Sequence, residues 1–297
     1  MAQERGRGAR QRGQSHGVSL PLSVLIPTLN EELNLPECLA SVAWADQVFV
    51  VDSFSRDRTL EIARTHGAHV VQHAFENYAR QKNWALDCLP FRHEWVLILD
   101  ADERVTPALR IEIESAIAST RYAGYYLNRR FYFLGQWIRH AGWYPSWNLR
   151  LFRHALGRYE DRPVHEHVVL DGPTGYLRND LLHLDRRAFS AFIDRHNRYS
   201  SFEAAARLAA ERRPSAVDRL SPSLLGSPVE RKRFLRERVW PRLPFKPLVL
   251  FVYMYLVRRG FLDGRPGLVL CVFHAWQEFV VGIKLAELRR SVVSRES

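Results

Sequence analysis

The sequence predicts an α/β fold: a Rossmann-like mixed sheet flanked by helices, followed by a C-terminal helical extension. Short apolar runs typical of buried strands alternate with amphipathic stretches typical of helices along the first half of the chain. Polar residues follow several of these strands, and two apolar helical stretches lie near the C-terminus. This alternation favours parallel strands covered on both faces, with a ligand at the carboxyl edge of the sheet.

The first half of the chain supplies four predicted strands and the helices between them. In chain order these elements are the strand LSVLIPTLN, the helix EELNLPECLASV, the strand QVFVVDSFS, the helix SRDRTLEIARTHG, the strand AHVVQH, the helix ENYARQKNWALDCL and the strand EWVLILD. The first helix has apolar residues at helical spacing, namely Leu33, Leu35, Leu39 and Val42. These four positions predict its buried face.

The pattern changes between about Tyr125 and Leu184, where aromatic and turn residues alternate over short segments. We expect shorter strands here that complete the sheet, cover its ligand edge and line an acceptor pocket. FSAFIDRHNRYSSFEAAARLAA then predicts a long helix, and prolines interrupt the segment that follows it. The expected organisation is a disordered basic arm (1–18), an α/β domain (19–212, with halves 19–122 and 123–212), a basic linker (213–246) and an apolar helical extension (247–297).

The composition limits the class of protein. The chain of 297 residues is 46% hydrophobic, enough for a packed core, and has a formal net charge of +11. A basic surface indicates a polyanionic partner such as nucleic acid, an anionic membrane surface or a phosphorylated substrate. Cys38, Cys88 and Cys271 show no CxxC spacing, so neither a disulfide framework nor a zinc site is indicated. A reducing, cytoplasmic compartment fits best.

Acidic residues gather in the segment VLILDADERV, although the chain as a whole is basic. Asp100 and Asp102 are one residue apart at a strand end, where both carboxylates can face one side and share a cation. Mg²⁺ and Mn²⁺ prefer oxygen ligands, and Mg²⁺ is commonly held by one or two carboxylates plus substrate phosphates. A lone D-x-D is usually a solvated turn, but Asp52 at a second strand end strengthens the prediction of a site for a metal and a diphosphate.

Four motifs follow one another in the first half: LSVLIPTLNEELNL, VVDSFSRDRTLEIA, QKNWAL and VLILDADE. Together they resemble the GT-A nucleotide-sugar-binding half of family 2 glycosyltransferases. The later segments WNLRLFRH, VHEH and GFLDGRPGL are more particularly similar to the bacterial group that adds sugars to the lipopolysaccharide core. The resemblance covers roughly Leu22 to Glu287. It implies a GT-A fold, a nucleotide-sugar donor with UDP favoured, and Mg²⁺ or Mn²⁺.

The resemblance implies a donor site residue by residue. The residues that would line the donor after the first strand are Pro27, Thr28, Asn30 and Glu31. Asp52 would accept a hydrogen bond from the base edge, and Lys82 would lie close to the nucleotide. In the segment Asp100, Ala101 and Asp102, the first carboxylate would reach the ribose and the second the metal that bridges the diphosphate.

The resemblance also implies inversion at the anomeric carbon, so that one general base must deprotonate the acceptor hydroxyl. The first candidate is Glu166 in VHEH, and the reserves are Glu103 and Asp161. An exposed strand glutamate between two histidines is the alternative interpretation of Glu166.

Three further side chains are candidates for binding charge. His183 in LLHLD would complete the metal shell as a histidine does in some relatives, unless it is a core or capping residue. Arg150 and Arg153 in WNLRLFRH would hold the diphosphate or an acceptor phosphate, since arginine suits bidentate contacts. Ordinary surface arginines are the alternative in so arginine-rich a chain.

Basic residues are dense just before the apolar C-terminal helices. VERKRFLRERVWPRLPFK contains seven basic and two acidic residues, and the two apolar helices after it are broken at GFLDGRPG. The apolar run from Pro247 to Val257 falls short of the roughly 20 residues that a membrane-spanning helix needs. The region is typical of an interfacial anchor on an anionic membrane, and packing on the catalytic domain or on a second subunit remains equally open. We expect a peripheral enzyme on the inner face of the cytoplasmic membrane.

Two other functions compete with transfer to a lipopolysaccharide core or related cell-surface glycan. Within the enzyme class, the acceptor could be a polyprenyl phosphate carrier. From another class, the high charge and the basic aromatic segment are compatible with a nucleic-acid-binding protein, although no such motif is present and the strand ends are acidic. A dinucleotide-dependent oxidoreductase is disfavoured because no GxGxxG follows the first strand.

Overall fold

The structure is a computed structural model that describes residues 19–160, 167–212 and 243–296. Its strands are β1 (Leu20–Thr28), β2 (Ala45–Asp52), β3 (His69–Gln72), β4 (Trp95–Ile98), β5 (Glu103–Arg104), β6 (Gly124–Phe133), β7 (Gln136–Trp137), β8 (Trp147–Arg153), β9 (Gly157–Tyr159), β10 (Val168–Leu170), β11 (Thr174–Tyr176) and β12 (Leu181–Leu184). Its α-helices are α1 (Leu35–Ser41), α2 (Thr59–Thr65), α3 (Tyr78–Cys88), α4 (Pro107–Ile117), α5 (Phe189–Arg212), α6 (Lys246–Val252) and α7 (Gly264–Glu296). The predicted arm, the candidates Asp161 and Glu166, and most of the predicted linker lie outside the described residues.

A ten-stranded sheet in the order β3-β2-β1-β4-β8-β6-β12-β5 forms the centre of the molecule, with β7 and β11 attached to β6. The first four strands in this order run parallel to one another, and β8 pairs antiparallel with both β4 and β6. The predicted parallel first half and mixed second half are both confirmed. The two expected halves of the catalytic domain share this sheet, since β4 pairs directly with β8.

The central strands bury side chains on both faces of the sheet. In β1, Val24 and Ile26 belong to the cluster that includes residues of α1, α2 and α4, whereas Leu25 packs with residues of α3. Each side chain buried in this way contributes about 1.5–3 kcal/mol relative to an exposed one. The continuous apolar runs of the sequence therefore follow from burial on two sides.

The first helix differs from its prediction at one position. Leu35, Leu39 and Val42 are buried as expected, but Leu33 is 53% exposed. Helix α1 begins only at Leu35, so Leu33 lies in the turn before the helix and does not share its buried face.

The carboxyl ends of the parallel strands meet at one edge of the sheet. Thr28 at the end of β1 stands opposite Asp52 at the end of β2. On the other side of β1, Leu25 stands opposite Ile98, and the backbone N–H of Leu99 donates to the carbonyl of Leu25 at 3.0 Å. The residues after β1, β2 and β4 therefore border a common space.

Helices α5 and α7 pack together through an apolar and a polar contact. Ala204 of α5 is buried with Val281 and Leu285 of α7. The ammonium group of Lys284 donates to the carbonyl of Asn197 at 2.7 Å, and polar groups on the two helices thereby satisfy one another.

The turn between α6 and α7 is tied to the sheet by a buried carboxylate. Asp263 accepts hydrogen bonds from the backbone N–H groups of Arg139 at 3.2 Å and His140 at 2.8 Å. A Cβ atom on Gly267 would lie 2.2 Å from the carbonyl oxygen of Gly260, so this close approach requires glycine. The motif GFLDGRPG therefore fixes where the helical extension joins the domain.

The segment Gly260–Ser291, which contains most of α7, is long and apolar enough to cross a membrane by length and composition, and 28% of its most apolar window is buried inside the protein. The shorter run from Pro247 to Val257, which was expected not to span a membrane, forms α6 and the helical turn after it.

We predict that acid weakens the contact between α5 and α7. Burial, together with His196 nearby, lowers the pKa of His274 from 6.5 to about 4, and burial lowers the pKa of His196 to about 4. The unfolded chain then binds protons before the folded chain does, so the free energy of unfolding should fall as the pH drops from about 6.5 to about 4.

The lowered pKa of His274 corresponds to a loss of about 3 kcal/mol in the free energy of unfolding over this pH range. Urea unfolding of the wild type and His274→Leu at a series of pH values measures it. We expect a shallower loss of stability in the variant over this pH range. Equal slopes for the two proteins would show that His274 is not kept neutral by the fold.

Candidate functional site

Two carboxylates next to the end of β4 share one guanidinium. Arg150 pairs with Asp100 and lies 2.8 Å from Oε1 of Glu103, which is fully buried. The other oxygen of Glu103 accepts from the backbone N–H of Asp100 at 2.9 Å. The Asp100 side chain is 38% exposed, so it alone of the two carboxylates faces the open edge of the sheet.

A bulge in β8 points Arg150 at these carboxylates. Across the β6–β8 pair, Tyr125 stands opposite Leu151 and Tyr126 opposite Leu149, so the register skips Arg150. Bulges of this kind redirect a side chain out of the regular alternation. The bulge therefore directs the guanidinium of Arg150 towards the carboxylates that follow β4.

The charges around Asp100 keep it ionised. Burial would raise its pKa, but the charge of Arg150, followed by that of Lys82, holds the pKa of Asp100 well below its usual range. Lys82 is itself buried, with its ammonium 4.0 Å from Oδ1 of Asp100 and 4.9 Å from the centre of the Tyr159 ring. The predicted neighbours Lys82 and Asp100 are thus brought together, with Arg150 beside them.

Asp102 lies among three cationic or titratable side chains. Its Oδ2 atom is 3.2 Å from Nε2 of His183, 3.6 Å from Arg195 and 3.8 Å from Arg187. Burial would raise the pKa of Asp102, but the charge and hydrogen bond of His183 hold it below its usual range.

The pairing of β12 with β5 places His183 beside Asp102. His183 stands opposite Glu103 in this antiparallel pair, and the backbone N–H of Leu184 donates to the carbonyl of Asp102 at 2.8 Å.

The geometry of Asp102 and His183 fits a divalent cation. Two ligand atoms that bind an octahedral ion at about 2.1 Å and at right angles are about 3.0 Å apart, close to the 3.2 Å between these two atoms. Within the described parts of the chain no group of three or more His, Cys, Asp or Glu side chains is arranged to hold a metal. Asp102 and His183 could hold such an ion together with substrate oxygens and water.

The carboxylate of Asp52 organises the loops after β1 and β2. It is fully buried and accepts from the hydroxyl of Thr28 at 3.2 Å, from the backbone N–H and hydroxyl of Ser55, and from the amide of Gln72 at 3.2 Å. These four hydrogen bonds fill the acceptor positions of a carboxylate. The predicted contact of Asp52 with a base stays a prediction, and it would require Asp52 to exchange one of these hydrogen bonds for the base.

The loop after β1 is held from both sides. Asn30, at φ 55°, donates its backbone N–H to the hydroxyl of Ser55 at 2.7 Å. The next residue, Glu31, lies 2.8 Å from Arg187, and burial, opposed by the charge of Arg187, raises its pKa to about 7. The half-buried Pro27 and the loop of Asn30 and Glu31 border the same edge of the sheet as Asp100.

Two sequence-based candidates do not fit the site. Arg153 stands opposite Trp95 at the start of β4, where it pairs with Glu94, so it lies at the far end of the strand from Asp100. Glu103 is enclosed by Arg150 and by Arg129, at 2.8 and 3.4 Å, and cannot meet an acceptor hydroxyl. These contacts favour a structural role for both side chains over the predicted ones.

Three residues of the site were missed by the sequence analysis. Arg187 and Arg195 flank Asp102, and Asp185 pairs with both arginines at 2.8 Å. Asp185 and Arg187 directly follow β12, so the rule that ligand-facing residues follow strands could have found them. Arg195 lies inside helix α5, where the sequence pattern gives no such signal.

A family model described as glycosyl transferase family 2 matches residues 23–180. The chain is 32% identical over 274 residues to the lipopolysaccharide core biosynthesis glycosyltransferase LpsC of Rhizobium meliloti, covering 90% of this chain and 92% of that protein. It is 27% identical over 295 residues to an uncharacterized glycosyltransferase of Rickettsia typhi, covering 93% and 91%. The crystal structure of S. aureus TarS 1–349 with UDP-GlcNAc aligns with a TM-score of 0.45 at 15% identity, covering 86% of this chain and 79% of that chain.

We predict that Arg150 is needed to bury the carboxylates beside β4. Arg150→Leu should lower the free energy of unfolding by about 3–5 kcal/mol, because it leaves Glu103 buried without its nearest cation. Arg153→Leu is the matched control on the same strand, and the loss of its exposed pair should cost no more than about 1 kcal/mol. Urea unfolding measures both, and equal losses would contradict the assignment.

Proposed function

The chain belongs to glycosyl transferase family 2 and has the GT-A fold, and on this basis we propose that it is an inverting, metal-dependent glycosyltransferase of lipopolysaccharide core assembly. In this proposal the donor is a nucleotide-diphosphate sugar, with UDP favoured, and the acceptor is a lipopolysaccharide core or a related cell-surface glycan. The acceptor class is supported by the similarity to LpsC, which extends over 90% of the chain.

One observation carries the donor proposal: the Asp102 and His183 pair beside the ionised Asp100 at the carboxyl edge of the sheet. Carboxylates and permanent cations of the described residues meet there, namely Glu31, Asp100, Asp102, Glu103 and Asp185 with Lys82, Arg129, Arg150, Arg187 and Arg195. A divalent cation and the doubly charged diphosphate of a nucleotide sugar would add no net charge to this cluster by binding together.

The protein side chains have distinct roles in the proposed transfer. Asp102 and His183 would hold Mg²⁺ or Mn²⁺, which when bound neutralises the charge that develops on the departing diphosphate. Arg187 and Arg195, on the same side of Asp102, would add fixed positive charge close to the leaving group. Asp100 would accept from the ribose, and Lys82 would lie near the nucleotide.

The acceptor hydroxyl needs a base on the other side of the anomeric carbon. We assign this role to Glu166, with Asp161 in reserve. Both lie outside the described residues, between β9 and β10 in the chain. The described residues on either side of them are joined by a hydrogen bond of 3.0 Å from the N–H of Glu160 to the carbonyl of His167. Tyr159, the last residue of β9, lies under Lys82, so the described chain that leads to this segment runs beside the proposed donor site.

The proposed acceptor determines where the enzyme works. A lipopolysaccharide core grows on a lipid, and nucleotide sugars are cytoplasmic metabolites, so we place the enzyme at the inner face of the cytoplasmic membrane. The basic, apolar C-terminal part of the chain is compatible with this place.

We predict that nucleotide release from one donor in a panel of nucleotide sugars depends on Mg²⁺ or Mn²⁺ and on Asp102. Asp102→Asn should slow release by roughly a hundredfold or more, the cost of losing an electrostatic contact to the leaving group. Asp87→Asn, which changes an exposed carboxylate paired with Arg158, is the matched control and should act as the wild type does. Full activity of Asp102→Asn, or of the wild type with a chelator, would exclude the metal role.

The class of acceptor has its own test. After incubation of membranes with radiolabelled donor, we expect the label in a lipopolysaccharide fraction that resists mild acid. Label that is extracted with the lipids and released by mild acid would identify a polyprenyl phosphate acceptor and overturn the core-sugar proposal. The inactive variant Asp102→Asn is the negative control, and neither fraction should be labelled with it.

A further inference from the structure

The α6–α7 hairpin presents an apolar face that no described part of the chain covers. On α7 the exposed side chains follow one stripe with helical spacing, namely Leu268, Val272, Trp276, Phe279 and Ile283. On α6 and the helical turn after it, the exposed side chains Leu248, Val252 and Leu256 repeat every four residues. Isolated exposed apolar residues are ordinary on a protein surface, but a continuous apolar face indicates a binding surface.

A groove runs between the two stripes. It has a volume of about 520 Å³ and is lined by Pro247, Leu248, Phe251, Val272, Ala275, Trp276 and Phe279. The seven side chains are aliphatic or aromatic and none is charged, so the groove suits hydrocarbon.

Positive charge borders this apolar face at the tip of the hairpin. Phe261 and Leu262 are 45% and 54% exposed, and they lie between the exposed Arg258, Arg259 and Arg265. The one acidic residue of the turn, Asp263, is buried and bound to the backbone of the β7 loop. The tip therefore combines exposed apolar side chains with arginines that pair with no carboxylate of the described residues, the composition of a segment that enters an anionic membrane interface.

The opposite face of α7 is occupied by polar contacts with α5. Glu278 pairs with Arg207 at 2.8 Å, and Lys284 donates to Asn197 and to the hydroxyl of Ser200 at 2.8 Å. If α7 crossed a bilayer, these groups would have to leave α5 and enter hydrocarbon, where each unpaired charge is costly. The contacts favour a helix that lies in one leaflet over a helix that spans the membrane.

Aromatic rings connect this hairpin to the proposed donor site. The rings of His183 and Phe131 are 5.3 Å apart, those of Phe131 and Trp143 are 4.4 Å apart, and those of Trp143 and His274 on α7 are 5.3 Å apart. The ligand pair of Asp102 and His183 thus lies three ring contacts from the helix. A hairpin embedded in the interface would hold the site within reach of a sugar on a membrane lipid.

We propose that the α6–α7 hairpin lies flat in the inner leaflet of an anionic bilayer, with its arginine tip among the headgroups and lipid chains filling the groove. Charge favours this occupant over a second copy of the chain. In a symmetric dimer both copies bury the same surface, so the partner would add a second set of the same arginines to the interface, whereas anionic headgroups neutralise them. The biological purpose of this membrane contact rests on the proposed membrane-linked acceptor, but the test of membrane binding does not depend on catalysis.

The test is sedimentation of the full chain with vesicles of phosphatidylcholine alone or mixed in equal parts with phosphatidylglycerol. The wild type should bind the mixed vesicles and bind neutral vesicles at least roughly tenfold more weakly. A double change of Trp276→Asp and Phe279→Asp should reduce binding to the mixed vesicles by a similar factor. Ile111→Asp is the matched control, since Ile111 is a 66% exposed apolar residue on α4, and it should bind as the wild type does.

Nucleotide binding, measured in parallel by calorimetry, should be unchanged in the double variant. Retained nucleotide binding with lost vesicle binding supports the hairpin as the docking surface and leaves the donor proposal intact. Equal binding to neutral and anionic vesicles, or vesicle binding that survives the double change, would overturn the inference. A wild-type protein that binds no vesicles but forms a dimer dependent on Trp276 would also overturn it. Vesicle-bound wild type that resists extraction with alkaline carbonate would indicate a spanning helix and would overturn it as well.

Discussion

The structure depends on the placement of carboxylates at the end of a buried strand. β4 is buried along its whole length, and the chain continues from it directly into Asp100, Asp102 and Glu103. Charges in such a position are tolerated only when opposite charges and hydrogen bonds compensate them. Arg150, at the bulge in β8, compensates the charge of Asp100, and His183, on β12, compensates the charge of Asp102.

This compensation gives the two aspartates different environments. Asp100 is enclosed by Arg150 and Lys82 but remains open at the sheet edge. Asp102 faces His183, Arg187 and Arg195. The proposed division of roles, a nucleoside contact for Asp100 and a metal ligand for Asp102, follows this difference in surroundings.

The sequence predicted the parallel strands and the acidic edge because both depend on local pattern: apolar runs mark buried strands, and strand ends mark the ligand edge. It could not show that Arg150 faces the acidic edge and Arg153 does not, since the bulge that redirects Arg150 forms only when the strands pair. It missed Arg195 because the residue reaches Asp102 from inside a helix more than ninety positions later in the chain. The position of Asp52 at a strand end was predicted correctly. Its hydrogen bonds to Ser55 and Gln72 depend on how the loops and strands pack in the folded chain, so the sequence pattern could not predict them.

In the proposed function the edge of β4 binds a cation and a nucleotide diphosphate as one unit. The most direct measurement is titration of Mn²⁺ followed through the electron paramagnetic resonance signal of the free ion, with the protein alone, with UDP alone and with both. We expect protein and UDP together to remove more free Mn²⁺ than the two removed separately, because two protein ligands hold the ion poorly without phosphate oxygens. Tight uptake of Mn²⁺ by the protein alone, or no additional uptake when both are present, would contradict the account.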